Sequence, residues 1–400
     1  MIYKYKALTK QGETIEGFFE ASDEADVLTM LKSNDYLPIA VEKDIGAGAQ
    51  IYLFSPKVKK KDLAVFCRQF YTMIEAGLGI VKCFEILEAQ TSNKTLRSAL
   101  GAIHEDVQKG FTISEAMNNH DKVFPSILIN MIEAGEVSGT LDSILERMAR
   151  HFEQESKLES KIKSALVYPS ALIVVSIAVV IFMLVAVLPT FTSMFTSSGV
   201  DLPWPTQLLM NLSEWIKTYW YLLGGGLLIV VMGWFYFIST TEGRRFLDNL
   251  KIKIPGIRVT SIKIITARFT RTLSTLLASG IPLLQALEVV GKVLNNVVVQ
   301  DRLIDSTDGI RRGASLSRAV RAMDIFPPMV DSMINIGEES GALDEILYKT
   351  ADFYEDEVEM SLQRMTTLIE PVLLVFMAVI IGFIVIAMAM PMFEMVNAVQ

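Results

Sequence analysis

At 400 residues the chain can hold two or three domains, and its 51% hydrophobic content is gathered into runs rather than spread evenly. A net charge of −8 argues against a general nucleic-acid surface, and the three histidines His104, His120 and His151 lie too far apart for a metal-ligand spacing. The start, Met1-Ile-Tyr-Lys-Tyr-Lys, lacks the apolar run of a cleavable signal peptide, and a reduced, structural role is expected for Cys67 and Cys83.

Residues 1–45 read as a small ββαβ module. Tyr3-Lys-Tyr-Lys-Ala-Leu and Thr14-Ile-Glu-Gly-Phe-Phe-Glu-Ala alternate around a turn at Lys10–Glu13, which predicts a hairpin. Ser22 then caps a helix through about Lys32, with Asp23, Glu24 and Asp26 in its first turn, and Pro38-Ile-Ala-Val suggests a returning strand. Residues 46–61 form a linker whose lysines, Lys57, Lys59, Lys60 and Lys61, are either solvated or a contact for anionic lipid or an acidic partner.

A first helical bundle is expected over 62–165. Asp62 starts a helix with Leu63, Phe66, Phe70 and Met73 on one stripe, and Gly77-Leu-Gly79 breaks it. Helices follow over Ile80–Ala89 and Lys94–Lys109. Ser114 caps a short one, Pro125 starts another that stops near Gly135, and a long helix begins near Leu141. Three charge-free runs reach the roughly 20 apolar residues a bilayer needs, giving spans at 166–190, 218–240 and 368–391. Between them lie a loop (191–217), a connector (241–261) and a second bundle (262–367), with a tail at 392–400. Lys157, Lys161, Lys163, Arg244, Arg245, Lys251, Lys253 and Arg364 flank the bundle sides of the spans, so the bundles and N-terminus are placed in the cytoplasm and the C-terminus outside. Trp204, Trp215, Trp220 and Trp234 form an interfacial belt in the outer loop or at the ends of the second span.

The chain repeats itself. Gly135-Glu136-Val137-Ser138-Gly139-Thr140-Leu141-Asp142 recurs as Gly337-Glu338-Glu339-Ser340-Gly341-Ala342-Leu343-Asp344, a shift of 202 residues (337 minus 135), and Pro169, Pro189 and Phe191 recur as Pro371, Pro391 and Phe393. Upstream, Phe66-Cys-Arg68 matches Phe269-Thr-Arg271, Glu85 matches Glu288, and Phe124-Pro125 matches Phe326-Pro327 after a one-residue deletion. In the motif, Glu136 and Glu338 have two readings. The structural one is a tight corner at Gly139 and Gly341, with Asp142 and Asp344 at the positive end of the next helix; the functional one is a contact for a partner or cation. Arg68 with Glu85, and Arg271 with Glu288, are candidates for ion pairs across an antiparallel helix pair, the alternative being independent solvated charges.

No phosphate loop or zinc motif is present, and no cofactor is expected. No Asp, Glu, Lys, Arg or His lies inside the apolar runs, Glu370 standing just ahead of the third run at its Pro371 start, which weighs against the rival reading as a transporter or channel subunit.

The Tyr-x-Tyr-x-Ala start, the two Gly-Glu-x-Ser-Gly-x-Leu bundles and the Pro-flanked first and third spans together resemble the inner-membrane platform proteins of type IV pilus and type II secretion machines, the PilC/GspF family. The resemblance covers essentially the whole chain. It implies a non-enzymatic, mainly α, polytopic protein of the cell inner membrane that forms a homo-oligomer. Implied partners are a hexameric assembly ATPase, in pilus systems also a retraction ATPase, pilin or pseudopilin subunits and other inner-membrane assembly proteins. The filament is a pilus, a secretion pseudopilus or a DNA-uptake fibre, with no direct nucleic-acid contact by this chain. The second half departs from the pattern at the position of Glu133, where Asn335 stands.

Overall fold

A computed structural model describes residues 2–8, 14–20, 28, 31, 36–43, 56–191 and 203–398. It divides into two compact units, Met1–Lys57 and Val58–Gln400. In the first, strands β1 (Ile2–Leu8), β2 (Thr14–Glu20) and β3 (Leu37–Lys43) form an antiparallel sheet in the order β2-β1-β3. The register shifts between Lys6 and Ala7, where Pro38 comes opposite. A proline has no N–H to offer the ladder, so an irregularity there is the expected accommodation. Ala7 and Leu31 are fully buried. The turn at Lys10–Glu13 and the cap at Ser22 lie outside the described residues; of the helix expected after that cap, Leu28 and Leu31 are described and helical.

The second unit starts as α1 (Lys60–Glu75), α2 (Ile80–Gln90), α3 (Lys94–Gln108), α4 (Ile113–Asn118), α5 (Ser126–Ser138) and α6 (Leu141–Phe182). Three boundaries differ from the sequence reading for identifiable reasons. α1 begins at Lys60 because Asp62 is the third residue of the helix, its carboxylate accepting from the Lys59 N–H at 2.9 Å. Lys60 and Lys61 therefore belong to the bundle rather than to a linker, and the Lys60 ammonium sits 5.5 Å from the Phe152 ring. Thr112, not Ser114, caps α4, in a reciprocal box with Glu115. α5 runs through Gly135 to Ser138.

After the first apolar helix come α7 (Trp204–Ser239), α8 (Thr241–Lys253), α9 (Ile257–Ala278), α10 (Leu283–Val293), α11 (Val297–Arg311), α12 (Leu316–Ala322), α13 (Pro328–Ser340) and α14 (Leu343–Ala398). The stretch 204–217, expected as part of a loop, is helical. α7 is bent by 54° between Trp204–Leu222 and Gly224–Ser239. Leu141–Phe191 and Leu343–Pro391 are each long and apolar enough to cross a membrane, and the bent pair in α7 makes a third if it is one span.

The two bundles are built alike. Phe66 packs on Phe124 with ring centroids 5.9 Å apart, and the equivalent Phe269 packs on Phe326 at 4.7 Å. One apolar core runs through both bundles, from Phe66, Phe70 and Phe84 to Phe269, Leu287 and Leu347. The deleted residue falls between Gly313 and Phe326, a stretch in which Asp324 takes a φ of 49°.

α6 and α14 pack side by side. Leu158 meets Val358 and Leu362, Lys161 binds Glu359 at 2.5 Å, and the Tyr168 hydroxyl donates to Glu370 at 3.2 Å. Partner numbers rise together along both helices, so the helices run parallel. Tyr168 and Glu370 occupy equivalent places in the two repeats, as expected for two related units packed with pseudo-symmetry.

Prolines in these helices free backbone carbonyls that hydroxyls from neighbouring helices take up. Pro391 has no N–H for Ala387 O, and the buried Thr206 hydroxyl of α7 donates to that oxygen instead. Ahead of Pro189 the helix widens into a π-turn at Met183–Val187, where the Leu188 N–H reaches back to Met183 O. Leu184 O thereby loses its donor four residues on, and the buried Ser213 hydroxyl donates to it at 2.6 Å. At Pro169 the freed Ala165 O lies 3.4 Å from the Thr366 hydroxyl, which donates more closely to Leu362 O at 2.9 Å. In a bilayer no water can satisfy such groups, so interhelical donors are required. Thr206→Val should destabilise the protein by about 0.6–1.7 kcal/mol. In a Pro391→Ala background, which restores the helical N–H, the same substitution should cost less. A double-mutant cycle on unfolding in detergent measures the coupling, and strict additivity would refute it.

Candidate functional site

The joint between each bundle and its long helix gives every residue of the repeated motif a physical task. At Gly135 an added Cβ would lie 3.1 Å from Ile144 Cγ1 and 3.2 Å from Leu141 Cα; at Gly337 it would lie 2.9 Å from Leu343 Cα. The glycine lets the end of one helix lie against the start of the next. Ser138 and Ser340 donate to the carbonyls of Ala134 and Ile336, each at 2.7 Å. Gly139 and Gly341 stop their helices in the left-handed conformation, with φ of 73° and 70°. The N–H groups of Thr140 and Ala342 close the turn onto Gly135 O and Gly337 O. Asp142 and Asp344 then fall in the first turns of α6 and α14, where the helix dipole favours a negative charge.

The glutamates reach sideways. Glu136 accepts from the Ile113 N–H at 2.5 Å, the Ser114 N–H at 3.0 Å and the Ser114 hydroxyl at 2.6 Å, all at the start of α4. Glu338 accepts from the Leu316 N–H at 2.6 Å and the Ser317 N–H at 3.0 Å at the start of α12. Each carboxylate satisfies otherwise orphaned helix donors and meets the positive helix end. These oxygens are thus engaged inside the bundle. Asn335, standing where the first half has Glu133, accepts from the Ser317 hydroxyl at 3.3 Å and donates to Glu339 at 2.7 Å. Asp248 of α8 repeats the capping device, accepting from the Val297 N–H at 3.1 Å.

The expected ion pairs do not form. Glu85 is exposed and binds Lys82 at 2.7 Å on its own helix, and Glu288 binds Arg311 at 3.0 Å. The arginines face the long helices instead. Arg68 binds Glu153 of α6 through Nε at 3.0 Å and Nη2 at 2.8 Å. Arg271 binds Glu355 of α14 at 2.8 Å and also Asp352. Glu153 and Glu355 stand at the 202-residue shift, so the pairing is repeated even though the predicted partner was wrong. α1 and α9 pack on the long helices rather than presenting these arginines to α2 and α10. The repeat of Glu153 and Glu355 beside the repeated arginines is the signal in the sequence that marks them.

Between the bundles the polar contacts are more deeply buried. Arg268 Nε of α9 lies 3.5 Å from Glu155 of α6, and within the second bundle Lys263 of α9 binds both Glu357 and Ser361 of α14 at 2.7 Å. Burial pushes the pKa of Lys60 down despite Glu155 nearby. Burial would likewise lower that of Arg271, but hydrogen bonds to Glu355 and Asp352 more than offset it and the net direction is up. His151, 2% exposed, is pushed from 6.5 to about 4, by burial above all.

This architecture defines a duplicated membrane protein in which each helical bundle is continuous with a long apolar helix. Residues 66–189 and 269–391 each match the family model of type II secretion system (T2SS) protein F, and residues 1–42 match the N-terminal domain model of that protein. The chain belongs to the type II secretion system protein F family. It is 39% identical to the type IV pilus assembly protein PilC of Myxococcus xanthus, across 100% of this chain and 96% of that one. Identity is 37% with PilC of Thermus thermophilus, over 100% and 99%, and 32% with type II secretion system protein F of Vibrio cholerae, over 99% and 98%.

Glu136→Ala should cost about 1–3 kcal/mol by stranding donors at the start of α4, and Glu338→Ala a similar amount at α12. Glu85→Ala and Glu288→Ala should each change stability by less than about 0.5 kcal/mol. Thermal unfolding of the purified variants separates the two sets. For His151 the folded pKa lies below the unfolded one, so its contribution is complete above pH 6.5 and is lost as pH falls toward 4. The loss amounts to about 3 kcal/mol. His151→Phe, which copies Phe353 at the equivalent place, should flatten the stability profile between pH 6.5 and 4; an unchanged slope would contradict this assignment.

Proposed function

We propose that the protein is an inner-membrane platform that couples a cytoplasmic hexameric ATPase to the extraction and assembly of pilin or pseudopilin subunits. One observation carries this reading: each bundle is joined without a flexible link to one long apolar helix, and the two helices run parallel. A displacement of either bundle is therefore passed to a helix that can cross the membrane. The relatives' names, a pilus assembly protein and a secretion system protein, support the same reading.

In this proposal α6, the bent α7 and α14 are three spans. The bundles and the N-terminal α+β module lie in the cytoplasm and the C-terminus lies outside. The lysines and arginines beside the spans support that orientation, and the parallel course of α6 and α14 agrees with it. Along the second half of α7, Ile229, Val230, Trp234, Phe235 and Tyr236 are all exposed. Such a helix meets lipid or a neighbouring subunit of a homo-oligomer. The bundles supply the surface for the ATPase.

Deleting the gene should abolish surface filaments, or pseudopilus-dependent secretion, and full-length protein should co-purify with the hexameric ATPase. Five glycines inserted after Ser164 should keep that co-purification and lose filament assembly, because the stiff link is gone. Wild-type assembly by the insertion variant would overturn the coupling; intact assembly after gene deletion would overturn the platform reading altogether.

A further inference from the structure

The face where the first bundle's long helix meets the second bundle contains a cavity of about 160 Å³, lined by residues of α6, α9 and α14. Its lining carries more positive than negative charge. Arg147, Arg150 and Arg271 face it against one carboxylate, Glu153, and Glu153 is already neutralised by Arg68 at 2.8 Å.

The donors around it are incompletely used. Arg271 is 4% exposed; Glu355 and Asp352 take its Nε and Nη2, while the buried Nη1 has no partner. Its guanidinium carbon lies over the Tyr348 ring, 4.5 Å from the centroid. His151 is 2% exposed and its Nδ1 also lacks a partner. Arg147, half-buried across the cavity, has no ion-pair partner among the described residues, whereas Arg150 is paired with Glu146 on its own helix. Buried donors left unpaired are costly, and a planar guanidinium is best satisfied by a multidentate oxyanion.

We propose that this cavity is a binding site for a small tetrahedral oxyanion of the phosphate class, held between Arg147 of the first bundle and Arg271 of the second. The volume admits an ion of five heavy atoms. The nearest lining residue, Gln154, lies twelve residues before the apolar run that begins at Leu166, roughly 18 Å along the helix. Lipid headgroups are therefore out of reach, which leaves free phosphate or the terminal phosphoryl of a threaded nucleotide. Because the two arginines belong to different bundles, the bound ion clamps one bundle to the other.

The test is calorimetric titration and thermal unfolding of full-length protein in detergent at pH 7, with inorganic phosphate against chloride at matched ionic strength. Phosphate should bind saturably and raise the unfolding temperature beyond the chloride control. Arg147→Gln, which breaks no ion pair, should unfold like wild type in chloride and bind phosphate at least tenfold more weakly. Arg271→Lys, which keeps the charge but not the fork, should also weaken binding. A parallel titration with ADP decides the source: binding by ADP alone would assign the oxyanion to a nucleotide rather than to free phosphate. Absence of any saturable phosphate or ADP signal, or full binding by Arg147→Gln, would overturn the site.

Discussion

A carboxylate closing the N-terminus of a short helix is the interaction on which both halves of this protein depend. Glu136 and Glu338 sit one residue after the glycine that lets two helices touch, and each reaches back to the backbone at the start of the preceding helix. That contact ties α4 to α5, and α12 to α13, immediately before the chain turns into α6 or α14. Without it the turn at Gly139 or Gly341 would still form, but the bundle would not be anchored to the point where the long helix departs.

From that joint the structure extends in two directions. Toward the bundles, Arg68 and Arg271 bind the long helices at Glu153 and Glu355, so each long helix is held along its first turns as well as at its start. Toward the membrane, the long helices meet along Leu158, Val358 and Leu362 and then contact α7 through carbonyls freed by proline or by the π-turn. The prolines flanking the apolar runs thus act as acceptor sites. At Pro169, Pro189 and Pro391 a backbone donor is missing, and a hydroxyl from a neighbouring helix lies against the carbonyl left free nearby.

Much of this was legible in the chain itself, and the exceptions share a cause. The repeated motif, the long apolar runs and the stripe Leu63-Phe66-Phe70 follow from local periodicity, and the duplication showed which positions matter. The partner of Arg68 was misassigned because antiparallel register between α1 and α2 looked sufficient, whereas Glu153 lies 85 residues away on a helix whose packing no local pattern specifies. The role of Glu136 was open for the same reason. A glutamate 22 or 23 residues from its donors reads as a free carboxylate until the two helices are brought together. The helix starting at Trp204 was read as loop because the charge-free run of the second span begins only at Thr218, whereas the helix starts earlier, at Pro203 and Pro205, where prolines need no donor.

The sequence by itself therefore determined the duplication, the helical character of both bundles, the membrane-length apolar runs and the place of the turn into each long helix. These depend on short-range periodicity and on residues with special backbone preferences, which are local properties. Only the tertiary structure decided which carboxylate meets which donor, that α6 and α14 run side by side in parallel, and that arginines of both bundles converge on one cavity. Those outcomes depend on the relative placement of helices far apart in the chain, where burial and the need to satisfy every buried polar group choose among pairings that the sequence leaves equally open.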